Sequence, residues 1–440
     1  MQKIDALIFP RWIIPVEPEN KVYEDHALAI NQGKILEILP HQKAREIYAP
    51  AENIILDEHV VLPGFINAHT HSPMNLFRGL GDDLALMTWL EHHIWPAEKK
   101  WLSEAFCYDG ARLALMEMIR GGTTCFNDNY FFLEGIGRAV SETGLRATLG
   151  VCVLDFPTPY ANTPDEYLLK AEKIYEEYYS HPLISMSIAP HAPYTVSDQT
   201  FIKVKNFAEK YAVKIHIHLQ ETRSEIMQAS LRPVQRLHKL GILSPNTQAI
   251  HLTQVNEEDI ALLGETGTDV VHCPESNLKL ASGFCPVKKL LDAGINVALG
   301  TDGAASNNDL DMLGEMKTAA ILAKAVAEDP TAVNAFTALK MATLNGARAM
   351  GLDKETGSLL PQKSADFIAI DLSSPNTQPV FNPLSQIVYA AHSQQVSDVW
   401  VAGKRLLKDR QFVDIDTAEV LQKARKWREK IADSEIPTNN

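Results

Sequence analysis

His69 and His71 stand two residues apart at the end of an apolar run, Val60 to His71. A strand repeats every two residues, so both imidazoles face one side at its C-terminal end. Ring nitrogens placed there can hold a divalent cation at about 2.0–2.1 Å. Taken alone, the pair fits a hydrogen-bonded structural couple equally well. Further candidates follow. In IHIHLQE (215–221) His216 and His218 share a face and Glu221 comes three residues later, which suits one metal ligand and one acid/base carboxylate. His251 ends another apolar run. Asp302 leaves the run Val297–Gly300 just before Gly303, where an unpaired buried carboxylate would be costly and a cation would remove that cost. Three histidines and one aspartate from separate strand ends form a nitrogen and oxygen donor set without thiolate, suited to zinc or another first-row divalent ion. Such an ion activates water near neutral pH, so the expected chemistry is hydrolysis.

These residues need a frame that collects strand ends on one side. Eight apolar runs, each followed by an amphipathic stretch, supply it: Val60–His71, Thr123–Asp128, Arg146–Leu154, Leu183–Pro190, Val213–Leu219, Gln248–Leu252, Asp269–Cys273 and Asn296–Gly300. The pattern predicts an α/β fold, a (β/α)8 TIM-like barrel over residues 63–357, whose active face lies at the C-terminal strand ends. Glu104–Arg120, Pro164–Tyr179, Asp198–Tyr211 and Glu257–Leu263 have helical spacing and polar residues near their starts, as outer helices should. Shorter strand-like pieces, Ala6–Ile14, His26–Ile38, Asp366–Asp371, Val396–Val401 and Lys404–Leu407, predict a small composite β-sandwich from residues 1–62 and 358–440. INQGKILEI (30–38) and VWVAGKRLL (399–407) both read as tight hairpins, related or independent. The tail beyond Ser434 reads as disordered.

Bulk properties exclude several function classes. The 440 residues are 45% hydrophobic and 22% charged, ordinary globular values. A net charge of -14 without a basic stripe argues against nucleic acid. The apolar stretch Ala6–Pro10 is too short for a secretion signal or a membrane span. Five cysteines without CxxC spacing fit a reduced, cytoplasmic setting, and Cys273 beside His272 reads as structural. Ser276 and Asn277 after the seventh run orient a ligand or merely turn the chain, and stay outside the catalytic set. Met74, Phe77 and Trp89 are positioned for an apolar pocket wall or for the core.

The motifs PGFINAHTH, HIHLQE, HCPESNLKLASG and GTDGAASNN, with His251, resemble the amidohydrolase superfamily over nearly the whole chain. TWLEHHIWPAE and APHAPYTVSD narrow the resemblance to 5'-methylthioadenosine/S-adenosylhomocysteine deaminases. The resemblance implies that His69, His71, His218 and Asp302 hold one metal ion, zinc above others, with His216 a neighbour. It implies substrate contacts from Glu98 (ribose hydroxyls), His191 (the nucleoside), Glu221 (the purine ring) and Asp302. His251 would face the attacking water, Asp302 would take its proton, and Glu221 would protonate ring N1. The substrate is then a purine nucleoside, 5'-methylthioadenosine first, with S-adenosylhomocysteine or adenosine as further candidates, deaminated at C6. An arginine that some members place after the third strand has no counterpart in GVCVLDFP (150–157), which favours an uncharged 5' group. A homodimer or homotetramer is implied in the same way. The same motifs also fit a hydrolase of triazines, pterins or free bases, and a barrel retained for assembly alone is the non-enzymatic alternative.

Overall fold

The computed structural model describes residues 1–433, so the expectation for the tail beyond Ser434 lies outside the described residues. Eight parallel strands, Phe65–Thr70, Thr123–Tyr130, Arg146–Val153, Ile184–Pro190, Lys214–Leu219, Thr247–His251, Asp269–His272 and Val297–Leu299, pair in chain order. Most of their residues are buried on both faces, which is why they read as apolar runs rather than alternating ones. The first run differs from its expected extent. It divides at Gly64: the residues up to Pro63 complete a strand of another sheet, and Phe65–Thr70 alone enters the barrel.

The barrel closes where its last strand meets its first. Asp302 N–H donates to His69 O at 3.0 Å, and Thr70 and Asp302 form a parallel bridge. Around the barrel lie Glu104–Arg120, Pro164–Tyr178, Asp198–Tyr211 and Glu257–Thr266. The side chains of Ser103, Thr163, Ser197 and Asn256 accept from backbone N–H groups at their starts, each cap contributing about 1 kcal/mol. No helix among the described residues is long and apolar enough to cross a membrane.

Both chain ends build a second, mixed sheet of nine strands. Its main path runs Gln411–Phe412, Lys404–Lys408, Val396–Val401, Phe367–Asp371, Tyr48–Pro63, Gln2–Ile13, His26–Asn31, Lys34–Pro40. The hydrogen-bonded path is continuous, and Ile8, Leu28 and Ile35 gather with Val61, Phe367 and Trp400 in one core cluster of this sheet. Where a sandwich was expected, the terminal strands form one mixed sheet. Its long strand Tyr48–Pro63 was hidden in sequence by Pro50 and the acidic residues Glu52, Asp57 and Glu58. The two Gly-Lys hairpins are related in space: a Cβ on Gly33 would lie 2.6 Å from Ala402 O, and both Gly33 (φ +72°) and Gly403 (φ +74°) are left-handed. Only residues without a side chain allow the turns to touch in that conformation.

A buried ion pair fastens this sheet to the barrel. Arg146, at the start of the third barrel strand, donates from Nε to Asp366 Oδ2 at 2.8 Å, and Asp366 Oδ1 also accepts from Ser364 Oγ and Ala402 N. Arg146→Ala leaves a buried carboxylate without its cation, so unfolding in urea should show a loss of about 3–5 kcal/mol.

Candidate active site

The C-terminal strand ends carry the chemistry. His69 and His71 come from the first barrel strand and the residue after it, His218 from the fifth, and Asp302 from just beyond the eighth. One ligand atom from each lies within 4.8 Å of all the others. Asp302 Oδ1 is 3.3 Å from His69 Nε2 and 3.2 Å from His71 Nε2, while His218 Nε2 is 3.3 Å from His71 Nε2. His69 Nε2 is buried and has no hydrogen-bond partner despite that proximity. An inward lone pair with nothing to satisfy it, three imidazoles and a carboxylate make a donor set that fits a divalent ion.

Protonation of two of the three histidines agrees with this; for His71 burial pushes downward, but the Asp302 carboxylate outweighs it and raises the imidazole. Burial drives His69 and His218 well below the usual imidazole range, so both are neutral, the form that ligates. For Asp302 burial pushes upward, but the nearby His69 and His71 outweigh it and hold the carboxyl well below the usual range. Asp302 sits at φ +65°, a strained conformation outside glycine, and it is held there: Ser276 Oγ and Ser306 Oγ donate to Oδ2 at 2.7 and 2.9 Å, and Gly303 N–H donates to Oδ1 at 2.8 Å. A Cβ on Gly300 would come within 2.8 Å of the His69 backbone N, so glycine is what lets the last strand approach the first. Beyond His71 the chain is turned by buried Asp128, which accepts from Ser72 N–H at 2.7 Å and Thr70 Oγ1 at 3.0 Å.

A cavity of about 630 Å³ opens above this cluster, an ordinary size for a small-molecule site. Its lining includes His71, His218 and Asp302 of the cluster together with Glu221, His251, Glu98 and His191, whose ring centroid is 5.1 Å from that of His218. Glu221 follows the fifth strand; burial raises its carboxyl, and Ser282 Oγ donates to Oε1 at 3.3 Å. His251 Nδ1 donates to Asn277 Oδ1 at 2.9 Å, which turns Nε2 toward Glu221 Oε2, 3.7 Å away. Burial holds His191 down to about 4. Thr195 Oγ1 gives its hydrogen to Ala192 O and accepts from His191 Nδ1, so the neutral ring keeps Nε2 as an acceptor.

The whole match can now be weighed. An amidohydrolase family model covers residues 60–406. The chain belongs to the amidohydrolase family. A 5-methylthioadenosine/S-adenosylhomocysteine deaminase of Teredinibacter turnerae is 47% identical over 432 residues, 97% of this chain and 98% of its own. A 5'-deoxyadenosine deaminase of Methanothermobacter thermautotrophicus is 42% identical over 371 residues, 83% of this chain and 86% of its own. The solved structure of a Xanthomonas campestris adenosine deaminase with bound zinc has a TM-score of 0.97 and 47% identity, covering 98% of this chain and 100% of that one.

Within this amidohydrolase barrel every site residue read from sequence lies in the cluster or on the cavity wall. Met74 and Trp89 line the cavity, whereas Phe77 is buried in the core and packs on Phe106, ring centroids 4.8 Å apart. Met74, three residues earlier in the short 3-10 turn Ser72–Phe77, lines the cavity. Ser276 and Asn277, set aside from the catalytic residues, turn out to position Asp302 and His251. Tyr130 carried no sequence signal. It ends the second strand and donates its hydroxyl to Glu98 Oε1 at 2.7 Å. Glu98 rides on helix Trp95–Trp101, directly after the π-turn Leu90–Ile94, a local rewinding common at functional sites.

Burial raises the Glu98 carboxyl to about 7, and the Tyr130 hydrogen bond opposes that rise. Tyr130→Phe removes the opposing contact. Infrared titration of the Glu98 carboxyl stretch, assigned by loss of the band in Glu98→Gln, should show ionisation moving above its present position.

Proposed function

We propose that this chain is a zinc-dependent deaminase of 5'-substituted adenosines, with 5'-methylthioadenosine as its principal substrate. One observation carries the reading: a single cavity joins the His69, His71, His218 and Asp302 cluster to a buried acid, Glu221, and to a second carboxylate, Glu98. A base near the first two and a ribose near the third would span it. The names of the relatives support the same substrate class.

His69, His71, His218 and Asp302 would hold the ion, whose contribution is Lewis acidity toward water near neutral pH. Glu221, whose carboxyl burial raises, gives a proton to ring N1. Asp302, held ionised, takes the proton that water gives up. His251, fixed by Asn277, steadies the oxygen that bonds to C6. Asp302 then passes that proton to the exocyclic nitrogen, the C6–N bond breaks to release ammonia, and the hydroxyl proton left on the C6 oxygen goes to Glu221, restoring it. Toward the ribose, Glu98 accepts from its hydroxyls and His191 offers Nε2 to the nucleoside. Met74, Trp89, Leu154 and Phe156 form an apolar wall, and Lys99 is the one lysine or arginine among the lining residues. An uncharged methylthio group matches such a wall better than a zwitterionic tail.

Ammonia release should be measured from 5'-methylthioadenosine, S-adenosylhomocysteine, adenosine and a triazine with the zinc-loaded protein. Fastest turnover with the first is expected; no ammonia from any adenosine derivative would overturn the reading. Glu221→Gln should lower kcat by roughly 10²–10⁴-fold with little change in KM, since the amide can still hydrogen-bond ring N1 but cannot give up a proton to it.

Glu98 adds a pH dependence of opposite character. Its carboxyl ionises at about 7, so below that pH it is protonated and loses an acceptor for one ribose hydroxyl. KM should fall as pH rises through about 7, and Glu98→Gln should abolish this trend while raising KM throughout.

A further inference from the structure

The histidines of the cluster point Nδ1 away from it, and what each Nδ1 meets decides where its hydrogen sits. His71 Nδ1 lies 2.6 Å from Asn129 O, and His218 Nδ1 lies 2.7 Å from His191 O. A backbone carbonyl only accepts, so both rings carry hydrogen on Nδ1, and in the neutral form that ligates a metal the lone pair is on Nε2. His69 has no such partner. Its Nδ1 is 2.7 Å from Nε2 of His216, an imidazole that can donate or accept. If His216 donated, the His69 hydrogen would move to Nε2, the atom that faces Asp302.

Contacts behind His216 remove the ambiguity. Its Nδ1 is 2.7 Å from Gln248 Oε1. The Gln248 amide is oriented in turn, because its Nε2 donates to the backbone carbonyl of Ala349 at 2.6 Å and Asn127 Nδ2 donates to the same Oε1 at 2.7 Å. Gln248 therefore presents oxygen to His216. Asn127 Nδ2 also lies 3.0 Å from His216 Nδ1, but a lone pair on that nitrogen would face the Gln248 oxygen at 2.7 Å, so the hydrogen sits there. His216 must donate from Nδ1 and accept at Nε2, and His69 must donate from Nδ1. Asn127, His216 and Gln248 are fully buried, so water cannot substitute for any link. None of the three lines the cavity.

We propose that His216 and Gln248 are positioning residues: a buried relay, referenced to the Ala349 carbonyl, that fixes the His69 tautomer so that Nε2 is free to ligate. The proposal rests on reading His69, His71, His218 and Asp302 as the metal site. Partners of this kind characteristically tune metal affinity without touching the ion.

Zinc affinity of the full-length protein, measured by chelator competition, tests it in wild type, Gln248→Leu, His216→Leu and His216→Gln. Both leucine variants should bind zinc roughly 10–100-fold more weakly, and His216→Gln, whose amide oxygen can still accept from His69, should recover most of the loss. A relay that merely packs the barrel would lower the unfolding midpoint of the metal-free variants and leave zinc affinity within about twofold of wild type, which would overturn the proposal. ¹⁵N NMR of histidine-labelled, zinc-loaded wild type provides a check that no variant's folding can confuse. Hydrogen on Nδ1 of both His69 and His216 is expected; hydrogen on Nε2 of His216 contradicts the relay. Wild-type protein that binds no zinc would instead defeat the metal reading itself.

Discussion

The hydrogen bond from Asp302 N–H to His69 O closes the barrel, and both residues belong to the candidate metal cluster. Closing the fold and assembling the site are thus one event. Eight strands bring the last edge beside the first, but these two edges fit only because Gly300 has no Cβ to strike His69. The strain of a left-handed Asp302 is held by three donors to its carboxylate and by the seam itself.

Around that seam the polar groups are arranged so that each has a defined direction. Carbonyl acceptors orient His71 and His218, Asn277 orients His251, and serines orient Asp302. In a region from which water is largely excluded, such contacts are strong and a misdirected group is correspondingly costly. The same exclusion raises Glu221 and Glu98. A carboxyl raised to about 7, as that of Glu98 is, can exchange protons near neutral pH.

The composite sheet contributes stiffness at a distance. Through Arg146 and Asp366 it grips the start of the third strand, and the long strand Tyr48–Pro63 leads through Gly64 directly into the strand that bears His69. The ends of the chain thereby restrain the element on which the site depends most. Both hairpin turns meeting at Gly33 and Gly403 tie the N-terminal strands to the C-terminal ones, so neither end can shift alone.

Sequence by itself determined the barrel, because strands buried on both faces must be apolar runs and their helices must be amphipathic, and it determined which side chains stand at strand ends, because a strand's period is two. HxH, HxHxxE and TDG could be read for that reason, and the resemblance they carry assigned His218 over His216. Tertiary structure alone decided which partners hold those groups. Ser276, Asn277, Tyr130 and Gln248 act across separations of 26, 26, 32 and 32 residues, and a one-dimensional pattern has no period that links such positions. It also decided that Phe77 belongs to the core while Met74 reaches the cavity, since both are apolar and only packing tells them apart.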